Sequence, residues 1–485
     1  MMTLTAAEEG KERLMSTAKV AQRCVVLSTH GSDRASAYPM SSKITRWREG
    51  WGATFLDAQC QNQFAAVSAE GNIQSITPIG PKRRDNHCGG ALVAAPSGDL
   101  HLIVGAHHGG FLHYRLRANA DADAWEMLAE GIGDEGGEHA WSVAKGNAGR
   151  PGHLHGATYP SLLVDGRGRL HLFYRSRGWN GGAAYPYYVV YQRWDEREGW
   201  SAARPLVRGA VEEHNWTFHG CAIGPDQLLH CCFVHSLPLD AEDRLMPATP
   251  GGVQQYRAHQ ACYYGASHVW SPDGGDSWTQ SGTALTVPAQ MPELARIEGA
   301  KLDPARIEPS PTRPGGSYGN SYYNYMTLSA PLAARDGSLW LILHNQLNGS
   351  AELCRWRNGL WQREGLAASP RNFAEPLRFI NFSALSQRND GGLELALTVT
   401  GDLRGGNRPG FGTPGTTLLR ISCGEDGAVQ DQELVEQPGA KAVWLPNFER
   451  SEPGILGEAP ALLCTRGLNA HDNYNDNRTE VLLYL

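Results

Sequence analysis

Four residues of the 485-residue chain combine the side-chain types and the spacing that proton-transfer chemistry needs: His87, His107, Tyr159 and Arg175. Asp85-Asn86-His87 precedes one apolar hairpin and Ala106-His107-His108 follows it. Thr158-Tyr159-Pro160 opens a second hairpin and Tyr174-Arg175-Ser176-Arg177 closes it. A hairpin returns to its starting end, so each pair meets at one end of its own unit. Adjacent units then bring all four residues toward one surface. Imidazole, phenol and guanidinium together suit removal of a proton alpha to a carboxylate. The guanidinium of Arg175 neutralises the carboxylate as the carbanion develops, while phenol and imidazole serve as base and acid. On a uronic acid this chemistry is a β-elimination that leaves a 4,5-unsaturated sugar. Hydrolysis normally uses two carboxylic acids instead, and no matching Asp/Glu pair occupies these hairpin ends. Lys82-Arg83-Arg84 adds local positive charge and points to an anionic ligand. Arg84, Asn86, His108 and Arg177 are therefore candidate substrate contacts. Arg257 and Tyr322, from a basic and aromatic loop region, join them.

Those hairpins belong to a repeated unit. An apolar strand, a tight turn with Gly or Asp, and a second strand beginning with Leu recur as 91–105, 161–175, 221–235, 331–344 and 384–399. The leading leucines are Leu100, Leu170, Leu228, Leu339 and Leu393. A third strand follows in three units, at 111–116, 187–194 and 351–361. Sheets of three or four antiparallel strands repeated around a circle make a β-propeller. With a first blade inside 21–80 and a last one inside 440–485, the total expected is seven blades. A two-sheet sandwich is the alternative architecture. The expected organisation is a polar N-terminal extension over 1–20 and one all-β, seven-bladed propeller over 21–485. Ser271-Pro272-Asp273-Gly274-Gly275-Asp276-Ser277-Trp278 fits the Asp-box pattern, in which Asp and Ser satisfy turn donors and Trp packs beneath. Asp-boxes resemble those of sialidases and related propellers, and they specify fold rather than chemistry.

The chain resembles the propeller-fold polysaccharide lyases that cleave ulvan, with the related rhamnose–glucuronate lyases. The resemblance rests on Asp85-Asn86-His87, the hairpin 98–108, Tyr159-Pro160 and the run 171–175 ending in Arg175. It covers about 90 residues closely and the rest in general pattern. It implies a seven-bladed propeller with His87, His107, Tyr159 and Arg175 in the active site, and elimination that needs no metal. The implied substrate is glucuronate or iduronate joined to rhamnose.

A structural zinc site is a separate expectation. If Ile223 pairs with Leu228 across the turn, Cys221 pairs with His230 and His219 with Cys232. All four would then share one face of the sheet, a composition suited to tetrahedral zinc or, as the alternative, to a buried polar–thiol patch.

Composition limits the partners. Net charge is −7, which does not favour nucleic acid. No run of 18 apolar residues suggests a membrane span. Ten cysteines are too few for a disulfide scaffold. The charged N-terminus does not read as a signal peptide, so the sequence as written predicts a cytoplasmic protein, secreted or periplasmic if a leader is missing. Two other functions fit the same fold: a rhamnosidase-type glycoside hydrolase acting on rhamnosyl-glucuronate, and a non-catalytic carbohydrate-binding propeller.

Overall fold

A computed structural model of the chain describes residues 23–38, 40–83, 85–134, 154–178, 187–209, 218–238, 261–297, 326–345, 349–375, 377–401, 412, 414–450, 460–468 and 479–485. Their strands form seven sheets, antiparallel except where Val207 and Arg208 pair in parallel with Ala289 and Gln290, arranged as a seven-bladed β-propeller. Blade 1 spans Ile44–Trp47 to Ile73–Ile79, and blade 2 spans Ala91–Ala94 to Glu126–Ile132. Blade 3 spans Leu154–Val164 to Arg204–Arg208, and blade 4 His219–Ile223 to Thr283–Ala284. Blade 5 spans Met326–Leu328 to Leu360–Leu366, and blade 6 Arg378–Gln387 to Val429–Leu434. Blade 7 begins with Ala442–Phe448, and its outermost strand is Cys24–Gly31 from the other end of the chain, paired with Thr479–Tyr484. The two chain ends thus share one sheet and close the ring.

Side-chain alternation in a blade buries both faces of its strands, and the apolar residues divide accordingly. A cluster of buried side chains fills each of the seven blade interfaces, including the one between blades 7 and 1. An eighth lies on the axis and holds Tyr38, Met40, Tyr159, Trp444 and Leu445. Apolar burial of this kind contributes about 25 cal/mol per Å², and here each blade is stabilised by both neighbours.

The five repeated hairpins use one turn. In each, the first residue's N–H bonds the fifth residue's C=O, and the fourth residue's N–H bonds the first's C=O: 95–99, 165–169, 224–228, 334–338 and 388–392. The fourth residue takes a left-handed conformation, with φ between 64° and 91° at Gly98, Gly168, Gln227, Gly337 and Gly391. Glycine suits that position in four turns, and blade 4 has Gln227. This common frame corrects one expectation: the leading leucine of blade 4 is Leu229, fully buried like Leu100 and Leu170, and Leu228 belongs to the turn.

Closing blade 7 with the first strand has a consequence for the axis. The chain leaves Gly31 at the rim and must reach Ile44, the innermost strand of blade 1. Residues 32–43 make that crossing, and most are buried. Ser36 Oγ donates to the Leu445 carbonyl at 2.8 Å, and Asn447 Nδ2 donates to the Ser36 carbonyl at 2.7 Å. Ser41 reaches the Pro160 carbonyl. Among the described residues no helix is long and apolar enough to cross a membrane. The N-terminal extension expected over 1–20 lies outside the described residues.

Candidate active site

His87 sits on the turn that leads into the inner strand of blade 2. His107 leaves the same hairpin but does not stay in its blade. The short strand His107–Gly109 pairs with the inner strand of blade 3, His107 opposite Thr158 and Gly109 opposite Ala157. On the other side of that strand Thr158 lies opposite Arg175. Three neighbouring strands thus carry His107, Thr158 and Arg175 in a row. The next residue, Tyr159, begins a bulge: between the Thr158–Arg175 and Ser161–Phe173 pairs, Tyr159-Pro160 face Tyr174 alone. Tyr159 has φ 62°, a left-handed conformation that costs an ordinary residue about 1–3 kcal/mol. The bulge turns its ring inward. Blades 6 and 7 use the same device at Phe382 and Leu445, with φ 71° and 56°.

One carboxylate organises the histidines. Asp85 Oδ1 is 2.7 Å from His87 Nδ1, and Asp85 Oδ2 is 2.7 Å from His107 Nδ1. The rings stack at 4.2 Å between centroids. A carboxylate only accepts, so both Nδ1 atoms carry the hydrogen and both Nε2 atoms are left as the basic positions. Burial would raise the Asp85 carboxyl, but the two imidazole donors outweigh it and hold the acid well below the usual carboxylate range. Burial, then Arg34 and His107, keep His87 well below the ordinary imidazole value. His87 is held neutral, as a base must be. Both side chains are partly exposed, at 17% and 18%.

The phenol of Tyr159 packs 6.1 Å from the His87 ring, edge-on to Tyr38 at 4.5 Å and stacked on Phe218 at 5.8 Å. Arg175 is fully buried, its guanidinium carbon 4.4 Å from the centre of the Tyr159 ring and 5.1 Å from that of Tyr187. Cation–π contacts of this kind are worth about 2 kcal/mol when desolvated. Arg175 is thus held between two aromatic rings beside the imidazole pair.

The four residues are thus brought together. Asn86 is buried, and its amide donates to both carboxylate oxygens of Asp33, at 2.9 and 3.1 Å. Arg84, Arg257 and Tyr322, and the side chains of His108 and Arg177, lie outside the described residues. Sequence reasoning missed Asp33, Arg34 and Tyr38, all on the crossing segment. It quoted Asp85 without giving it a role. The segment has no strand periodicity; the available signal was topological, since a first strand used to close the last blade makes the next residues run inward to the innermost strand of blade 1.

The expected zinc set does not form. The pairs are His219 with Phe233, Cys221 with Cys231, Ala222 with His230 and Gly220 with Cys232. The turn between the strands has an odd number of residues, so the register differs by one from the expected pairing, and a one-residue offset moves side chains to the opposite face. Cys221 packs into the blade 3–4 interface and Cys232 into the blade 4–5 interface. His230 Nδ1 lies 3.0 Å from His268 Nε2 instead. The described groups with ligand atoms close enough for a metal are Asp85, His87 and His107, within 4.8 Å of one another. Their mutual hydrogen bonds already use both carboxylate oxygens and both Nδ1 atoms, and Arg34 Nη1, 2.6 Å from His87 Nε2, opposes a second cation there.

Known proteins place this geometry in context. No curated protein sequence matches the chain. Among solved structures, a PL25 ulvan lyase, described as a new family of polysaccharide lyase, superposes with TM-score 0.61 at 12% identity, covering 96% of each chain. A PL25 ulvan lyase bound to a repeat of glucuronate and 3-sulfated rhamnose gives 0.60 at 12%, again over 96% of each. The polysaccharide lyase Uly1 gives 0.53 at 12%, over 96% of this chain and 98% of its own. At such identity the likeness is one of fold. The profile of a BNR repeat-containing family matches residues 49–301, more than half of the sequence and all the candidate catalytic positions. The chain belongs to the BNR repeat-containing family.

Proposed function

We propose that the protein is a polysaccharide lyase that cleaves rhamnose–uronate glycans by β-elimination. The observation that carries this reading is the bridging of two imidazoles by Asp85 beside the inward-turned Tyr159 phenol. A base takes the C5 proton of the uronate. The electron pair left behind forms the C4–C5 double bond as the C4–O bond breaks, and an acid protonates the departing oxygen. Tyr159 and one imidazole share these two roles, the Tyr159 and His87 rings lying 6.1 Å apart between centroids. The carboxylates at the site do not form a hydrolytic pair: Asp33 is buried against Asn86, and Asp85 is engaged by both histidines. The fold shared with ulvan lyases, one holding a glucuronate–rhamnose repeat, supports the substrate class. The test is incubation of the protein with a rhamnose–glucuronate glycan while following ultraviolet absorbance of the conjugated uronate. A steady rise is expected. Free rhamnose without that absorbance would select the hydrolase, and binding without turnover the carbohydrate-binding propeller.

A further inference from the structure

Two arginines approach the imidazole–phenol cluster, and they differ in access. Arg175 is fully buried against the Tyr159 ring. Arg34 is partly exposed. Its Nη1 lies 2.6 Å from His87 Nε2 and also donates to the Tyr38 hydroxyl. The segment that bears it is fixed from behind, since Trp444 Nε1 donates to the Asp33 carbonyl at 2.9 Å and Asn86 clamps the Asp33 carboxylate. We propose that Arg34 is the residue that receives the substrate's carboxylate, exchanging His87 for the acidic sugar.

The inference deepens the lyase reading and rests on it. In a uronate the carboxyl carbon is bonded to C5, the carbon that loses its proton, so the carboxylate receptor must stand next to the base. Arg34 touches a candidate base directly. Its five donors form a fork, so it can present a bidentate face to a carboxylate while another N–H stays on Tyr38. The present acceptor, the His87 Nε2 lone pair, is neutral, and a carboxylate is the stronger partner. Arrival of an acidic sugar therefore draws Arg34 away and uncovers the imidazole lone pair. A neutral sugar leaves it covered. Recognition of charge and readiness of the base are one event.

The experiment uses the full chain and two ligands: a rhamnosyl-glucuronate oligosaccharide, and the same oligosaccharide with its carboxyl reduced to the alcohol. Affinities are measured by calorimetry, with turnover of the acidic ligand followed separately by absorbance. Wild type is expected to prefer the acidic ligand by about 30-fold, the scale of a hydrogen-bonded charge pair. Arg34→Gln should bring the two affinities within about threefold while leaving binding of the reduced ligand unchanged, which reports an intact cleft. Arg34→Lys should keep part of the preference. Discrimination retained in Arg34→Gln, or equal binding of both ligands by wild type, overturns the assignment. If the absorbance product still forms in that case, the lyase reading stands and Arg34 alone falls. If wild type neither binds nor cleaves the acidic ligand, the lyase reading itself has failed.

Discussion

Two histidine pairs in adjacent parts of the molecule are built from the same side chains and do opposite things. In the interior of blade 2, His101 Nδ1 lies 2.9 Å from His113 Nε2, and both rings pack on Trp194 at 5.2 Å. Each imidazole spends a nitrogen on the other, and both are buried. Between the turn into blade 2 and the short strand that pairs with blade 3, His87 and His107 spend their Nδ1 atoms on Asp85, so Nε2 is the basic position of each ring, and that of His87 faces Arg34. A carboxylate between two imidazoles orients them and fixes Nε2 as the basic position of both; imidazole against imidazole fills space and satisfies polarity. Histidine content alone therefore says little, and the third partner decides.

The largest expected effect comes from removing that partner. Asp85→Asn offers one acceptor and one donor where two acceptors are needed, so one imidazole must change tautomer. Turnover should fall about 10³-fold or more, the scale seen when an orienting carboxylate is lost from a histidine, with the melting temperature little changed. Steady-state rates and a thermal melt on one preparation check this. Full activity in Asp85→Asn would make the bridge incidental. Next in size, Tyr159→Phe and His87→Ala should each lower turnover by about 100-fold, as expected for loss of an acid–base group; wild-type rates in both would remove the site assignment. His101→Leu should leave turnover intact.

The interior pair should show itself in acid instead. Burial lowers His101 to about 4 and His113 to about 2, while in the unfolded chain both titrate near 6.5. Between those values the unfolded chain binds protons that the folded chain refuses. Stability therefore falls as pH drops below about 6.5, by about 1.4 kcal/mol per pH unit for each such imidazole. Urea midpoints at pH 7, 6 and 5 should decline, and the double variant His101→Leu/His113→Leu should decline less steeply. Parallel slopes for the two proteins would show that the pair is not a source of acid sensitivity.

Much of the architecture was legible in the sequence because its physics is local. Five turns with Gly or Asp before a leucine-led strand announce hairpins, and their number gives seven blades once the ends are counted. The convergence of His87, His107, Tyr159 and Arg175 was legible for the same reason, since hairpin ends are fixed by the chain itself. What was not legible depends on distant pairing. Arg34 and Tyr38 enter the site because Cys24–Gly31 pairs with Thr479–Tyr484, a contact across nearly the whole sequence that no local pattern records. The burial of Arg175 depends on a bulge that turns Tyr159 over it. The Leu228-Leu229 doublet shows how narrow the margin is: either leucine can lead the strand by pattern, and only comparison with the glycines of the other four turns selects Leu229.

That one-residue choice gives the smallest predicted effect. His219 and Cys221 face blade 3, while His230 and Cys232 face blade 5, with the sheet's own backbone between them. Side chains on opposite faces cannot meet at the roughly 2.0–2.3 Å ligand distances that zinc requires. A chelator should therefore move the melting temperature by less than about 1 °C, where loss of a structural zinc would remove much of the folding free energy. Purified protein should carry under a tenth of an equivalent of zinc. A full equivalent, lost together with stability on chelation, would require ligands other than these four, and Cys221→Ser would then leave the metal content unchanged.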